Sequence, residues 1–343
     1  MTPTTPSRSL DMAVEFPELA ALARTVTRLH PYPGAPTVHD SSVGGPLLWP
    51  ADEPWPEYES RYRPHRPLTT LSDIRTLRTV LTQMWLRPRV PGENALTEAE
   101  REVVDRISAG HMQELLPPGP LPLIPLAQLY ARDVPGFSFP EGTDLLQVLW
   151  SPSDEIEGCS DAVQLRWRLS SDVREVLITP PEPAYVENSD HVPDPCLLRP
   201  EQVREFPPNH LLDEELMERL LTWSDQTWSE GRLVNYCDNL SVAPGWKLGG
   251  WPAHFTFRDP AESDELQCGV CGGPVEALLT VGSSEWDGAT YSWRPVGEGM
   301  EEPAEHPYRS TCEPTMVTIG RGYTLQFYSC ISMPSHLPRT IMQ

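Results

Sequence analysis

Lysine is almost absent from this chain: Lys247 is the single lysine among 26 Lys and Arg. We read that balance as the codon bias of a GC-rich genome. No apolar run approaches the roughly 20 residues of a membrane-spanning helix, so no membrane association is expected. The start, Met1 to Ser9, is polar and lacks the basic-then-apolar order of a secretory leader. Seven cysteines is an odd number, and two of them form a tight pair instead of a spread disulfide framework. These absences predict a reduced, cytoplasmic setting. Positive charge is also short, with 26 Lys+Arg against 49 Asp+Glu and a net charge of −23. A body of that sign repels phosphate backbones, so nucleic acid is not expected as a partner and a basic protein is. Catalytic signatures are missing as well: there is no GxSxG elbow, no HExxH and no Walker-type phosphate loop. His39-Asp40-Ser41-Ser42 assembles triad residue types, but sequence neighbours cannot adopt the triad's arrangement with one another.

What is present points to a packed, β-rich chain. Its 343 residues are 39% hydrophobic and include 11 Trp, 10 Tyr and 7 Phe, ample for a buried core. Forty prolines exclude a helical bundle, because each interior proline breaks a helix and removes a backbone donor. Residues 1–10 read as a frayed tail. Apolar residues Phe16, Leu19, Leu22, Ala23 and Val26 recur at helical spacing, which predicts a helix between Asp11 and His30. Further helices are expected at Leu71–Leu86, at Thr97–Leu116 behind a Thr97/Glu100 capping box, and at His210–Glu230. Short apolar runs bounded by Pro and Gly predict strands at 121–130, 145–150, 164–169, 175–179, 255–257, 277–281, 291–294 and 324–328. The Pro- and acid-rich stretch 180–210 reads as a surface connection.

A weak internal repeat runs through this pattern. Gly44-Gly45-Pro46 with Trp49-Pro50 matches Gly249-Gly250-Trp251-Pro252, and Leu126-Ala127-Gln128-Leu129 matches Leu278-Leu279-Thr280-Val281. A third match sets Gly142-Thr143-Asp144-Leu145 against Gly322-Tyr323-Thr324-Leu325. The expected fold is therefore mainly β (β-rich α+β), with two tandem related halves packed as one body and helices at the periphery. The halves run from about 34 to 180 and from about 231 to 343, joined by a connection over 181–230, in a single domain covering 11–343.

The strongest chemical signal is Cys268-Gly269-Val270-Cys271-Gly272-Gly273, a tight turn whose two thiolates can bind one Zn²⁺. One CxxC is half of a tetrahedral site, so Cys330 is the expected third ligand and His336 the fourth, with Cys312 as substitute. A reduced turn without metal, or a redox pair, are the alternatives. A filled site of this kind is structural, and zinc is the expected cofactor. Candidate binding residues cluster at the two Gly-Gly segments: Trp49, Trp55 and Tyr58 at the first, and Lys247, Trp251 and His254 at the second. The stretch Trp49 to Glu59 interleaves aromatics with Asp52, Glu53, Glu57 and Glu59, the composition of an anchor surface for a basic partner. A small-ligand site or an enzyme using these same grooves is the rival reading.

The order Gly-Gly-Pro…Trp-Pro, Pro125-Leu126-Ala127-Gln128-Leu129, Val134-Pro135, Leu146-Gln147-Val148 and Lys247-Leu248-Gly249-Gly250-Trp251-Pro252, followed by Cys268–Cys271 and Cys330, resembles the YwqG-like family. This bacterial domain of unknown function matches from about residue 40 to residue 330. The arrangement is also similar to programmed cell death protein 2. The resemblance implies a mainly β fold of two related halves and a non-enzymatic, protein-binding role, as an immunity protein or a dedicated chaperone. Relatives often carry a second CxxC after the last strand, whereas here Cys330 is followed by Ile331, Ser332 and Met333. The stretch from about Tyr58 to Gly119 is longer than the family pattern needs and is a candidate partner-binding or capping insertion.

Overall fold

In the computed structural model, residues 4–59, 68–88, 94–110, 119–153, 162–232, 234–262, 264–297 and 311–343 are described. They form the β-rich α+β fold expected from the sequence, with two six-stranded sheets and one two-stranded ribbon. Pro17 decides how the chain begins. It caps α1 (Met12–Glu15) at a single turn, and a 3₁₀ turn over Pro17–Leu22 follows. The β-branched run Thr25-Val26-Thr27 then enters β1 (Arg24–Arg28). The expected long helix over 11–30 is therefore a short helix, a turn and a strand.

Three further strands, β2 (Tyr32–Pro33), β3 (Ser42–Val43) and β4 (Glu57–Tyr58), precede two helices, and β5 (Leu121–Pro122) then pairs with β4 to complete the ribbon. The helices α2 (Leu71–Trp85) and α3 (Glu98–Ala109) are capped as the sequence requires. Thr70 accepts from Asp73 N–H, and the Thr97/Glu100 box is complete. α3 stops at Gly110, whose φ of 67° is left-handed, short of the expected Leu116; residues 111–118 lie outside the described residues. Then follow β6 (Ile124–Tyr130), β7 (Leu145–Trp150), β8 (Val163–Arg168), β9 (Cys196–Leu197), β10 (Glu201–Glu205), α4 (Glu214–Ser229), β11 (Lys247–Leu248), β12 (Val275–Gly282), β13 (Thr324–Cys330) and β14 (Arg339–Met342). Of the other expected strands, 175–179 makes only an isolated bridge between Val176 and Pro50. Residues 255–257 are irregular, and 291–293 form a 3₁₀ turn.

The strand orders are β2-β9-β3-β6-β7-β8 and β10-β1-β11-β12-β13-β14. Each sheet thus ends in a four-stranded antiparallel meander, β3-β6-β7-β8 in one and β11-β12-β13-β14 in the other. The two meanders agree in register. Ser42 and Val43 face Gln128 and Ala127, while Lys247 and Leu248 face Thr280 and Leu279. Both carry a bulge at the same point, at Leu126 and at Leu278, the first residues of the second sequence match. The N–H of Gly44 donates to Leu126 O at 2.9 Å, and that of Gly249 donates to Leu278 O at 2.7 Å. The third sequence match is displaced by one residue. Leu146 faces Leu129 as Leu325 faces Val281, so Leu146, not Leu145, is the counterpart of Leu325. A one-residue slip would reverse the faces of the whole strand.

Two sequence boundaries do not hold. β9 and β10 lie inside the supposed surface connection. β9 sits between β2 and β3, while β10 pairs with β1 along five residues. The chain also exchanges strands between sheets. β1 joins the second meander and β2 the first, then β9 joins the first and β10 the second. The supposed tail is held from residue 4 onward. Thr4 bridges Val296, Thr5 N–H and hydroxyl donate to the Glu201 carboxylate, and the Arg8 guanidinium lies 3.8 Å from the Trp293 ring centroid. One apolar cluster draws Leu126, Leu129 and Val148 from one sheet and Leu279, Val281 and Phe327 from the other. A second cluster packs Met12, Phe16 and Leu19 against Leu216 and Leu220 of α4.

Candidate metal centre

Two chain reversals at one corner of the second meander bring four ligand side chains together. Before β12, residues 267–274 form a small hairpin, with Gln267 bridging Pro274, Cys268 N–H donating to Gly273 O, and Gly272 N–H donating to Cys268 O, both at 2.8 Å. Gly272 has φ 70°, a conformation glycine takes without strain, and this lets the turn fold back beneath Cys268 and Cys271. Cys330 ends β13 directly opposite Val275, the first residue of β12. The chain then turns through 331–338, where His336 N–H donates to Met333 O at 2.9 Å. Arg339 Nε donates to Gln267 O at 2.8 Å and ties this loop to the hairpin. Trp167 Nε1 donates to Pro334 O at 3.1 Å and ties it to the neighbouring sheet.

The ligand atoms of Cys268, Cys271, Cys330 and His336 all lie within 4.8 Å of one another. Cys271 Sγ is 3.6 Å from Cys330 Sγ, and Cys268 Sγ is 3.4 Å from His336 Nδ1. A tetrahedron with Zn–S bonds of about 2.3 Å places its sulfurs about 3.8 Å apart, so these edges fit such an ion. Three thiols and one imidazole also make a donor set suited to a borderline-soft cation. Desolvation opposes ionisation of Cys268, but the N–H groups of Cys271 and Val270, with the His336 and Cys271 side chains, lower its thiol to about 6. Cys271 receives the Gly273 N–H, yet the neighbouring Cys330 and Cys268 hold its thiol above the usual value. Neighbouring thiols resist ionising together, and a bound cation removes that conflict. With four protein ligands no coordination position is left open, as in structural sites. Cys312 is not in this group; its carbonyl accepts Glu285 N–H at 2.6 Å elsewhere in the fold.

The candidate binding residues are not gathered into one groove. Trp49 and Tyr58 are buried, with Leu121, Leu123 and Leu149, beneath the first meander. They pack the core and offer no anchor, because a proline-rich turn folds their rings inward. Trp55 is half-buried against Trp49, ring centroids 5.0 Å apart, and its Nε1 donates to Leu123 O at 2.8 Å. Lys247 is wholly buried, donating to Glu205 Oε1 at 2.6 Å and to Trp251 O at 2.7 Å, and burial depresses its pKa. Glu205 also accepts from the N–H of Ala243 and of Trp251. A side chain at Gly250 would meet its Oε2 at 2.6 Å, which explains the glycine there. Trp251 is half-buried beneath the Arg24 guanidinium, 3.5 Å away. His254 lies 2.8 Å from Ser241 Oγ and 3.2 Å from Asn209 Oδ1, and burial, then His210 and Lys247, lower its pKa to about 3. The pair Lys247–Glu205 is thus a structural clamp on the second Gly-Gly loop.

A set of buried ionic groups next to this clamp has no counterpart in the sequence reading. Arg28, His30 and Glu285 are buried, with Arg28 Nη2 3.9 Å and His30 Nδ1 3.6 Å from Glu285 Oε2. His30 Nε2 meets Glu201 at 3.2 Å. These partners come from β1, β10 and the turn after β12, so only the folded chain reveals them. Compared with known proteins, the chain matches no family model, and no curated protein matches it significantly.

Proposed function

We propose that this chain is a zinc-stapled, non-enzymatic protein-binding module whose partner is a cationic protein. The observation that carries this reading is where the charge sits. Among the described residues only four carboxylates are buried: Asp194, Glu205 and Glu285 face the buried cations Arg78, Lys247 and Arg28, and Asp73 pairs with the exposed Arg106. The core is nearly balanced, so the surplus behind the net charge of −23 lies toward solvent. Such a surface accelerates capture of a basic partner and makes the complex salt-sensitive. The side chains with the most chemical promise, Lys247 and His254, are engaged in internal hydrogen bonds. Zinc held by Cys268, Cys271, Cys330 and His336 would act as a cross-link between the 267–274 hairpin and the 331–338 loop.

Membership of the YwqG-like family belongs to this proposal, and so does an origin of the two meanders by internal duplication. The order of motifs supports the first, and the shared register and bulge support the second. The corresponding roles are immunity protein or dedicated chaperone in a reducing cytoplasm. A small-ligand role is favoured by grooves among the described residues: one of about 240 Å³ lined by Gly44, Gly45, Pro46, Leu71 and Pro193, and one of about 180 Å³ that His254 lines. Neither Trp49 nor Trp55 lines either of them.

Native mass spectrometry tests the metal: one zinc per chain is expected, lost in His336→Ala and retained in Cys312→Ser. Folded protein purified without chelator and free of metal would overturn the staple. Affinity capture at low salt tests the partner. A basic protein released by moderate salt is expected, whereas a stoichiometric small molecule with no retained protein would overturn the binding reading.

A further inference from the structure

Among the described residues, one tryptophan of the chain's 11 is exposed: Trp228, at 57%, near the end of α4. The helix buries Leu216, Leu220 and Thr227, with Trp223 half-buried edge-on against Phe16 at 6.0 Å. At 100° per residue, Leu221 and Trp228 lie about 110–130° around the helix from the centre of this buried stripe, two turns apart. Leu221 is 45% exposed. Glu214, Glu218 and Asp225 share this outward stripe and are also exposed. In order, Glu214, Glu218, Leu221, Asp225 and Trp228 follow at the alternating four-and-three spacing of a helix-pairing seam. The one arginine of the helix, Arg219, is paired with Glu18 at 2.7 Å. Among the described residues, no basic side chain pairs with Glu214, Glu218 or Asp225.

We infer that this face of α4 is the docking surface for a cationic amphipathic helix of the partner protein, an assignment that rests on the protein-binding reading above. Trp228 supplies an anchor of the kind that dominates binding energy, and Leu221 extends the apolar seam beside it. The carboxylates beside them select lysine or arginine flanking the partner's apolar seam, as charged flanks do in helix pairing. The same charges argue against other occupants. A second copy would set carboxylate against carboxylate, and an anionic lipid surface would be repelled. The surface displaces the Trp49–Glu59 stretch as the anchor site, because there the aromatic rings point inward.

The test uses a fluorescent synthetic peptide of about three Leu/Lys heptads, a scrambled peptide of the same composition, and the full chain at low salt. Saturable one-to-one binding of the heptad peptide is expected, weakened by salt. Trp228→Ala should weaken it at least about tenfold with an unchanged melting temperature. Asp225→Lys, a surface change, should weaken it as well. Equal affinity in both variants, or equal binding of the scrambled peptide, would overturn the α4 surface while leaving a cationic partner in place. Failure of every basic peptide to bind would overturn both. Self-association that Trp228→Ala abolishes would assign the face to a second copy and overturn the inference.

Discussion

Replacing Lys247 by methionine asks how far the second Gly-Gly loop depends on its ionic clamp. The chain length and apolar stem are kept, so the change removes chiefly the ammonium. Glu205, at 0% side-chain exposure, then retains the N–H donors of Ala243 at 2.8 Å and Trp251 at 3.0 Å but loses its only contacting cation among the described residues. Breaking a buried pair from one side costs about 3–5 kcal/mol, because a charge is left uncompensated away from water. Unfolding entropy of about 2.1 cal/mol/K per residue makes each kcal/mol worth about 1.4 °C in a chain of 343 residues. Lys247→Met should therefore lower the melting temperature by about 4–7 °C. Adding Glu205→Gln removes the stranded charge but keeps an acceptor for only one of the two N–H donors, which bond different carboxylate oxygens, so the double variant should recover part of the loss. Scanning calorimetry with urea titration of the four proteins of the cycle reads these values. A single-variant loss under about 1 kcal/mol, or a double variant no more stable than Lys247→Met, would refute the clamp.

Acid stability should follow His210 and His254, both half-buried. Burial lowers His210 to about 4, and burial foremost lowers His254 to about 3, so both are neutral in the fold but protonate in the unfolded chain below about 6.5. Their contribution is complete above pH 6.5 and is lost as pH falls toward 4 and then 3. His210→Leu, which also removes a buried Nδ1 without a partner, should flatten the upper part of that decline in a pH-dependent denaturation series; an unchanged slope counts against the assignment. Gly250→Ala should cost about 2–4 kcal/mol, since φ is 75° and the new carbon meets Glu205 Oε2 at 2.6 Å and Val26 at 2.7 Å. Gly142→Ala, with φ 78° and nothing within 4 Å, is the control and should lose about 1 kcal/mol; equal losses would show that backbone strain alone decides both.

The sequence revealed elements whose signals are local. α2, α3 and α4 carry caps and an apolar stripe, and β6, β7 and β13 are short apolar runs between breakers. The four ligand residues were legible because CxxC is a local turn and Cys330 falls at a strand end. What stayed hidden depends on distant pairing. β10 reads Glu-Gln-Val-Arg-Glu, polar enough to pass for a loop, and is a strand because β1 lies beside it. β1 showed helical spacing only when Phe16 and Leu19 were counted with Val26, across Pro17. Trp49 and Tyr58 looked like surface anchors because charge surrounds them in sequence, yet the turn folds the rings inward and the carboxylates outward. Trp228 is hidden in the sequence for a related reason: periodicity marks the buried stripe of α4, whereas the exposure of Leu221 and Trp228 is a property of the fold.

The two meanders solve one structural problem with different chemistry. In each, the long connection between its first and second strands returns to the corner where the second strand starts and the third ends. In the first meander that connection carries Trp49, Tyr58 and Leu123, and the corner is closed by their packing with Leu149. In the second, the connection carries the 267–274 hairpin, and the corner holds three thiols and an imidazole. The shared register makes Ser151 the counterpart of Cys330, so one position is a hydroxyl in one sheet and a thiol of the candidate metal centre in the other. A short hairpin of Gly and Cys has too little apolar surface to seal a corner by burial, and a metal cross-link needs only four side chains. The long connection before β6, with α2, α3 and large aromatic residues, can seal its own. What the halves share is the corner, and what differs is the amount of apolar surface each connection brings to it.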